Sequence, residues 1–401
     1  MNSKQTTIKS AEARKRRIIL PKLRFPEFRE AEGWIAKSLK FTCELNPANS
    51  ELPEEFVYID LESVESGELK ARQIIKRDEA PSRAQRLLRS GDVIFQIVRP
   101  YQRNNLHFKI NDAMPYVAST GYAQLRANES DDFLFQAVHT EDFVDQVIAK
   151  CTGSSYPAIN SSDLAEILLS IPNKDEQQKL AACLSSLDEL ITAERLKLDA
   201  LKAHRKGLMQ QLFPAEGETT PRLRFASFKR SWREYALKSL IQKLSSGRDT
   251  HDPSGVHDLY GSTGIIGKTG TATHSGEHIL VARVGANAGL ARFVNDQFGA
   301  TDNTLVIEVD KSFCSRFIFY YLCSLDLSGM VFGSGQPLIT GGQLKALTLF
   351  VPDESEQLKL VDVLTGVERL ISHCVSRIEF LKAHKTGLMQ QLFPSLDEVQ
   401  V

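Results

Sequence analysis

No Cys-x-x-Cys pair occurs among the six cysteines, at 43, 151, 183, 314, 323 and 374, and no histidine spacing near them suits zinc. That excludes a zinc ribbon and a dithiol redox centre. It points to reduced, mostly buried thiols in a cytoplasmic protein. No apolar run reaches the ~18 residues that a membrane span needs, and residues 1–19 lack the apolar centre of a secretory signal. Ala13-Arg14-Lys15-Arg16-Arg17 reads instead as a solvated basic tail or a weak phosphate contact. An excess of one charge is also missing. Lys and Arg number 49 against 50 Asp and Glu, a net charge of −1, whereas an unspecific polyanion binder would be basic over its whole surface. Local patches remain. Residues 70–103 hold Lys70, Arg72, Lys76, Arg77, Arg83, Arg86, Arg89, Arg99 and Arg103 against Asp78, Glu79 and Asp92.

Catalytic signatures are missing as well. Gly267-Lys268-Thr269 resembles the end of a phosphate loop, but Ser262 stands where the first glycine is required and no buried strand leads into it. No tetrapeptide of the kind that holds a flipped adenine is present; Asn46-Pro47-Ala48-Asn49 lacks the second proline and the aromatic. There is no glycine-rich loop typical of S-adenosylmethionine binding, no HExxH and no GxSxG. A self-contained methyltransferase or nuclease therefore lacks its motifs, although a nuclease carboxylate cluster has too weak a signature to exclude.

What is present is a duplication. Leu201-Lys202-Ala203-His204-Arg205-Lys206-Gly207-Leu208-Met209-Gln210-Gln211-Leu212-Phe213-Pro214 returns 180 residues later from Leu381 to Pro394, with twelve of fourteen positions identical. Gly153-Ser154-Ser155-Tyr156-Pro157 precedes Gly333-Ser334-Gly335-Gln336-Pro337 by the same offset, and Pro21-Lys22-Leu23-Arg24-Phe25 is echoed at Pro221-Arg222-Leu223-Arg224-Phe225. Identity is highest in the helices and low in the regions between them. The simplest reading is a shared scaffold carrying two different readers.

Between Asp175 and Phe213 there is no proline and a single glycine, Gly207. Leu180, Leu184, Leu187, Ile191, Leu198 and Leu201 form a heptad seam, and Leu360, Leu364, Val367, Ile371, Ile378 and Leu381 repeat it. Each helix follows a proline and acidic residues suited to a helix N-terminus, and each stops at Phe-Pro. About 40 residues make a helix ~60 Å long, which needs a partner for its seam. Either the two are core helices of separate domains, or they pair with each other as an antiparallel coiled coil; their length and matched seams favour pairing. His204 and His384 read as interface or solvent residues.

The fold expected is α+β. Two duplicated α/β domains are separated by two long helices that pair antiparallel, with pseudo-two-fold symmetry. The segments are a basic tail over 1–20, a first globular domain over 21–171, a long helix over 172–214, a second domain over 215–351, a second helix over 352–394 and a tail over 395–401. Val93–Val98, His278–Val284 and Thr304–Val309 read as strands, and Phe313–Leu325 as a buried helix. Candidate nucleic-acid contacts lie in polar loops. Arg99, Tyr101, Gln102, Arg103 and Asn104, followed by Asn105, combine guanidinium donors, amides and an aromatic, a mixture suited to phosphates and base edges. Ser154, Ser155 and Tyr156, with Ser334 and Gln336 in the echo, offer hydroxyls and backbone N–H groups. Lys268, Arg283 and Asn287 lie among glycines that let backbone approach a ligand. Each of these stretches is also compatible with an ordinary exposed turn.

The set resembles the specificity subunit of type I restriction-modification systems, over nearly the whole chain from about residue 20. The residues that carry it are Leu23-Arg24-Phe25-Pro26 with Trp34 and Leu223-Arg224-Phe225 with Trp232. Within the domains they are Gly91-Asp92-Val93-Ile94, Val98-Arg99-Pro100-Tyr101, Ser119-Thr120-Gly121-Tyr122, Tyr260-Gly261-Ser262-Thr263-Gly264-Ile265-Ile266-Gly267, the Gly276–Asn287 stretch and Ser334-Gly335-Gln336-Pro337-Leu338. Each helix opens Pro-x-x-x-Glu-Gln. The resemblance implies two target-recognition domains, each reading half of a bipartite asymmetric site in double-stranded DNA. It implies helices that act as a ruler and dock two methyltransferase subunits. It also implies no cofactor in this chain: S-adenosylmethionine would belong to the methyltransferase subunits, and ATP and magnesium to restriction/translocase subunits joined through the complex. A catalytic protein, or a coiled-coil adaptor that does not read DNA, are the other readings.

Overall fold

The computed structural model describes residues 18–49, 51–65, 67–325, 327–330 and 337–396. Residues 1–17 of the expected tail over 1–20 and the candidate contacts Ser334 and Gln336 lie outside them, while Ile18–Ile19, placed in that tail by sequence, form a strand paired antiparallel with Trp34 and Ile35. The chain divides into two compact units, Met1–Ala193 with Ile378–Val401, and Glu194–Arg377. Two helices of 39 residues, Lys174–Leu212 and Glu354–Leu392, each contribute to both units. The first unit therefore contains the start of the first long helix and the end of the second, and the other unit the reverse.

The doubled motifs at the ends of the repeats have a physical explanation. Glu176, at the start of the first long helix, is almost fully buried. It accepts hydrogen bonds from Arg24 Nε at 2.8 Å and Nη2 at 2.7 Å, and from Trp34 Nε1 at 3.2 Å. In the other unit Glu356 accepts Arg224 Nε at 2.7 Å and Nη2 at 2.8 Å. The neighbouring glutamines also match: Gln177 Nε2 donates to the Pro172 carbonyl at 3.1 Å and Gln357 Nε2 to that of Pro352 at 2.9 Å. The Leu-Arg-Phe segments serve helix ends too. Leu23 N–H donates to the Gln391 carbonyl and Leu223 N–H to that of Gln211, at 3.0 and 2.9 Å, satisfying carbonyls that a helix terminus leaves unpaired. The Phe-Pro that ends each helix packs its aromatic on the doubled tryptophan side: Phe393 lies 5.7 Å from Trp34, and Phe213 shares a cluster with Trp232 and Phe317.

Along the helices Leu180, Leu184 and Ile191 are buried, and Leu187, Leu198 and Leu201 half-buried. Leu360, Leu364, Val367, Ile378 and Leu381 are buried and Ile371 half-buried. His204 and His384 are exposed. Of the cysteines, Cys43 and Cys374 are buried while Cys151, Cys183, Cys314 and Cys323 are half-buried, and none is bonded to another. This corrects the expectation that most are buried.

The two units share strand pairing but not strand continuity. In the second unit a six-stranded sheet runs Ile241–Ser246, Thr304–Val309, His274–Ala282, Ala291–Ala300, His257–Gly261, Gly264–Thr269. In the first unit the long central strand is split into Ala84–Leu87 and Val93–Gln96, and its neighbour into Leu106–His107 and Tyr116–Ser119, giving two four-stranded sheets. The split is made by a turn with Gly91 at φ 93°. Buried Asp92 pins that turn: it accepts from Arg89 N–H, Gln124 Nε2 and Arg126 at 2.7–2.9 Å. The aromatic run forms the buried helix Ser315–Ser324. Two expected strands end two residues early, at Gln96 and Ala282. At that point the chain leaves its sheet to meet another loop.

Candidate nucleic-acid interface

That meeting point is the most informative place in each unit. In the first, Val98 forms an antiparallel bridge with Ala158, Arg99 N–H donates to the Pro157 carbonyl at 2.7 Å, and Ile159 N–H donates to that of Ile97 at 3.0 Å. In the second, Val284 bridges Leu338, Gly285 N–H donates to the Pro337 carbonyl at 3.0 Å, and Ile339 N–H donates to that of Arg283 at 2.9 Å. The same crossing is built twice, from the strand-end loop and the three residues Pro157–Ile159 or Pro337–Ile339. It aligns Arg99 with Gly285, not with Arg283, whose counterpart is Ile97.

The backbone agrees. Arg99 and Arg103 have φ of 55° and 54°, and Gly285 and Gly289 have 81° and 91°. A left-handed residue, three more, and a second left-handed residue occur in both units. Glycine tolerates this conformation, whereas a residue with a Cβ is strained by roughly 1–2 kcal/mol. The second unit therefore presents a smooth loop around Asn287, and the first presents Tyr101, which is 53 % exposed, and Gln102 between two arginines.

Each candidate side chain in the first unit has a definite setting. The Arg99 guanidinium lies over the Tyr156 ring, 4.3 Å from its centre, and Tyr156 is 66 % exposed. Ser154 and Ser155 are exposed beside it. Arg103 donates to both oxygens of Glu141, at 2.8 and 2.5 Å, and this partner raises its already high pKa. Gln102 Oε1 accepts from Gln96 Nε2 at 2.8 Å, and Asn104 N–H donates to Gln96 Oε1 at 3.1 Å. Asn105, whose amide was read as a base-edge donor, is buried instead. Its Oδ1 accepts Gln96 N–H at 2.8 Å and its Nδ2 faces His139 Nε2 at 3.1 Å. The sequence reading missed Gln96 and His139, which hold the loop from beneath. The available signal was a glutamine inside the apolar run Val93–Val98, because a buried amide must find partners. His139 Nδ1 lies 2.7 Å from the Phe135 carbonyl, and burial lowers its pKa to about 4, so the ring is neutral.

The basic stretch is less open than its composition implies. Lys70 pairs with Glu68, Arg72 with Asp112, Arg77 with Glu51, and Arg103 with Glu141. Lys76, Arg83, Arg86, Arg89 and Arg99 have no ion pair among the described residues. In the second unit Lys268 pairs with Asp258 at 2.8 Å, and Arg283 Nη1 donates to the Asp302 carbonyl at 3.2 Å. Gly267-Lys268-Thr269 lies within the strand Gly264–Thr269, so no helix N-terminus follows it as a phosphate loop requires. Among the described residues no cluster of three His, Cys, Asp or Glu side chains could hold a metal ion, and no helix is long and apolar enough to cross a membrane.

Comparison with known proteins matches this architecture. The family model for the type I restriction modification DNA specificity domain matches twice, over residues 49–203 and 238–379. The chain belongs to that family. It is a type I restriction-modification specificity subunit, a non-catalytic component that supplies DNA-sequence recognition through its two specificity domains. The EcoprrI specificity subunit of Escherichia coli is 25% identical over 284 residues, 66% of this chain and 70% of that one. The HindI specificity subunit of Haemophilus influenzae is 26% identical over 140 residues, 34% of this chain and 30% of that one. Among solved structures, the type I S subunit from M. genitalium aligns with a TM-score of 0.61 at 14% identity, covering 94% of this chain and 99% of that one. A chain from a study of complex assembly and conformational transition of the type I system aligns at 0.57 with 21% identity, covering 91% and 98%.

Proposed function

We propose that each unit reads one half of a bipartite, asymmetric site in double-stranded DNA. The observation that carries this reading is the doubled loop crossing: one backbone, two different sets of side chains. A shared frame with unlike surfaces suits two unlike half-sites. Arg99, Tyr101, Gln102, Arg103, Asn104, Ser154, Ser155 and Tyr156 belong to the first reader, and Lys268, Arg283, Asn287, Ser334 and Gln336 to the second. The long helices pair as an antiparallel coiled coil with pseudo-two-fold symmetry. Supporting this, Asp188 pairs with Lys385 within one unit, and Arg205 with Glu368 within the other. As the first helix advances from 188 to 205, its partner retreats by as many residues.

The helix faces dock two methyltransferase subunits, because the scaffold is repeated, and restriction/translocase subunits join through them. S-adenosylmethionine, ATP and magnesium belong to those partners, and the assembly works in the cytoplasm. The test is to map methylated positions in a host with and without this chain, co-expressed with its methyltransferase subunits. The expected outcome is a motif of two short blocks around an unspecified gap, seen only when the chain is present. A single contiguous or palindromic motif would count against two independent readers. Mass measurement of the complex should give two methyltransferase subunits per chain; a fully active one-to-one complex would sink the symmetric docking.

A further inference from the structure

Arg99 and Arg103 occupy left-handed positions that the second unit fills with Gly285 and Gly289. Glycine would adopt that backbone without strain, so each arginine side chain requires a separate reason to be there. Arg103 has one in its two-point pair with Glu141. Arg99 has no ion pair among the described residues. Its backbone bond to Pro157 does not require a side chain either, because Gly285 makes the same bond to Pro337. What its side chain does is lie over Tyr156, with its charge not neutralised by a carboxylate. Non-glycine residues held in strained conformations concentrate where a side chain must be presented.

We infer that Arg99 is a specificity-determining residue that presents its guanidinium to a guanine in the half-site of the first unit, with Tyr156 as a positioning residue. The inference rests on the two-reader function proposed above. An arginine stacked on an aromatic ring keeps its planar fork of N–H donors, and that fork matches the N7 and O6 acceptors of guanine in the major groove. The second unit has no side chain at the equivalent position, so its half-site is read without this arm.

The test uses Arg99→Gly, Arg99→Lys and Arg103→Ala in the full chain, co-expressed with its methyltransferase subunits. Two quantities are read: the methylated motif and the thermal midpoint. Arg99→Gly should hold its midpoint, because the relieved strain offsets the lost ring contact. It should relax discrimination at one guanine of one block by about five- to 150-fold, leaving the other block unchanged. Arg99→Lys, which lacks the fork, should not rescue. Arg103→Ala, which keeps the left-handed strain and removes only the Glu141 pair, should lower the midpoint. A midpoint fall for Arg99→Gly as large as that for Arg103→Ala would make the Arg99 side chain structural and overturn the inference. Rescue by lysine, or equal weakening on all sequences, would make it a phosphate contact and overturn it too. An unchanged motif overturns it as well. If the unmodified complex shows no two-block motif, the two-reader function itself fails and the inference falls with it.

Discussion

At the scale of single residues, His139 shows how the Arg99–Asn104 loop of the first unit is supported and how that support depends on pH. Its Nδ1–H donates to the Phe135 carbonyl and its Nε2 accepts from Asn105, so the neutral ring satisfies both neighbours. Adding a proton would set two donors against each other. The folded pKa is lowered to about 4 from 6.5, chiefly by burial. Below about pH 6.5 the unfolded chain takes up a proton that the folded chain refuses until about 4. Stability therefore falls as pH drops through that window, by about 2 kcal/mol at pH 5. His139→Gln should be less stable at pH 7.5 but should lose less between pH 7.5 and 5, as read by urea unfolding. Equal pH slopes in the two proteins would remove His139 from the account. The supporting layer was only partly legible in the sequence. The polar mixture Arg99–Asn104 stands out by composition, whereas Gln96 and His139 matter through hydrogen bonds beneath the loop, to Gln102, Asn104 and Asn105, that no local pattern announces. The alignment of Arg99 with Gly285 was hidden for the same reason, since strand pairing and not sequence offset sets it.

At the scale of elements, the long helices were legible because a heptad pattern is local: each buried position is announced within four residues of the next. Their acidic starts, Asp175-Glu176 and Asp353-Glu354, suit the helix dipole by sequence, but Glu176 has another role, shared with Glu356 in the second helix. Those two are buried anchors for Arg24 and Arg224, and the doubled Leu-Arg-Phe and Glu-Gln motifs are the two ends of one ion pair. Removing one partner of a buried pair strands the other charge, at a cost of roughly 3–5 kcal/mol. Arg224→Ala should approach that figure. Arg24→Ala should cost less, because Trp34 Nε1 still donates to Glu176, whereas Trp232 Nε1 has no hydrogen-bond partner. Adding Glu356→Gln to Arg224→Ala should recover part of the loss. Denaturant unfolding of the three variants checks the order; an Arg224→Ala loss under about 1 kcal/mol, the range of exposed pairs, would mean that Glu356 is not stranded. The sheets were less legible. Their strands could be named from β-rich runs, but pairings such as Tyr116–Ser119 with Glu55–Ile59 join segments that share no local pattern.

At the scale of the whole molecule, the duplication was the clearest signal and leads to the prediction that depends most on the proposed pairing. If the two long helices pair antiparallel and set the spacing of the recognised blocks, their length is a measure of the DNA gap. Each has 39 residues, or ~60 Å at 1.5 Å per residue, at most about 18 base pairs at 3.4 Å each. Readers on one face of the duplex favour half-site centres about one turn, roughly 10 base pairs, apart. Inserting one heptad after Leu198 and another after Ile378 preserves the seam, because seven residues return each side chain to its own face. It also adds about 10 Å, or about three base pairs. The expected methylated motif keeps both blocks and gains a longer gap. Three base pairs also rotate the second block by roughly a third of a turn, while seven residues take a helix nearly two full turns; some loss of rate is therefore expected along with the changed gap. A four-residue insertion in one helix alone shifts its seam out of register with its partner and should abolish methylation without creating a new motif. The readout is the motif of each variant. If the double-heptad protein stays active on the original gap, the helices do not set the spacing, and the methyltransferase subunits or contacts within each reader must do so.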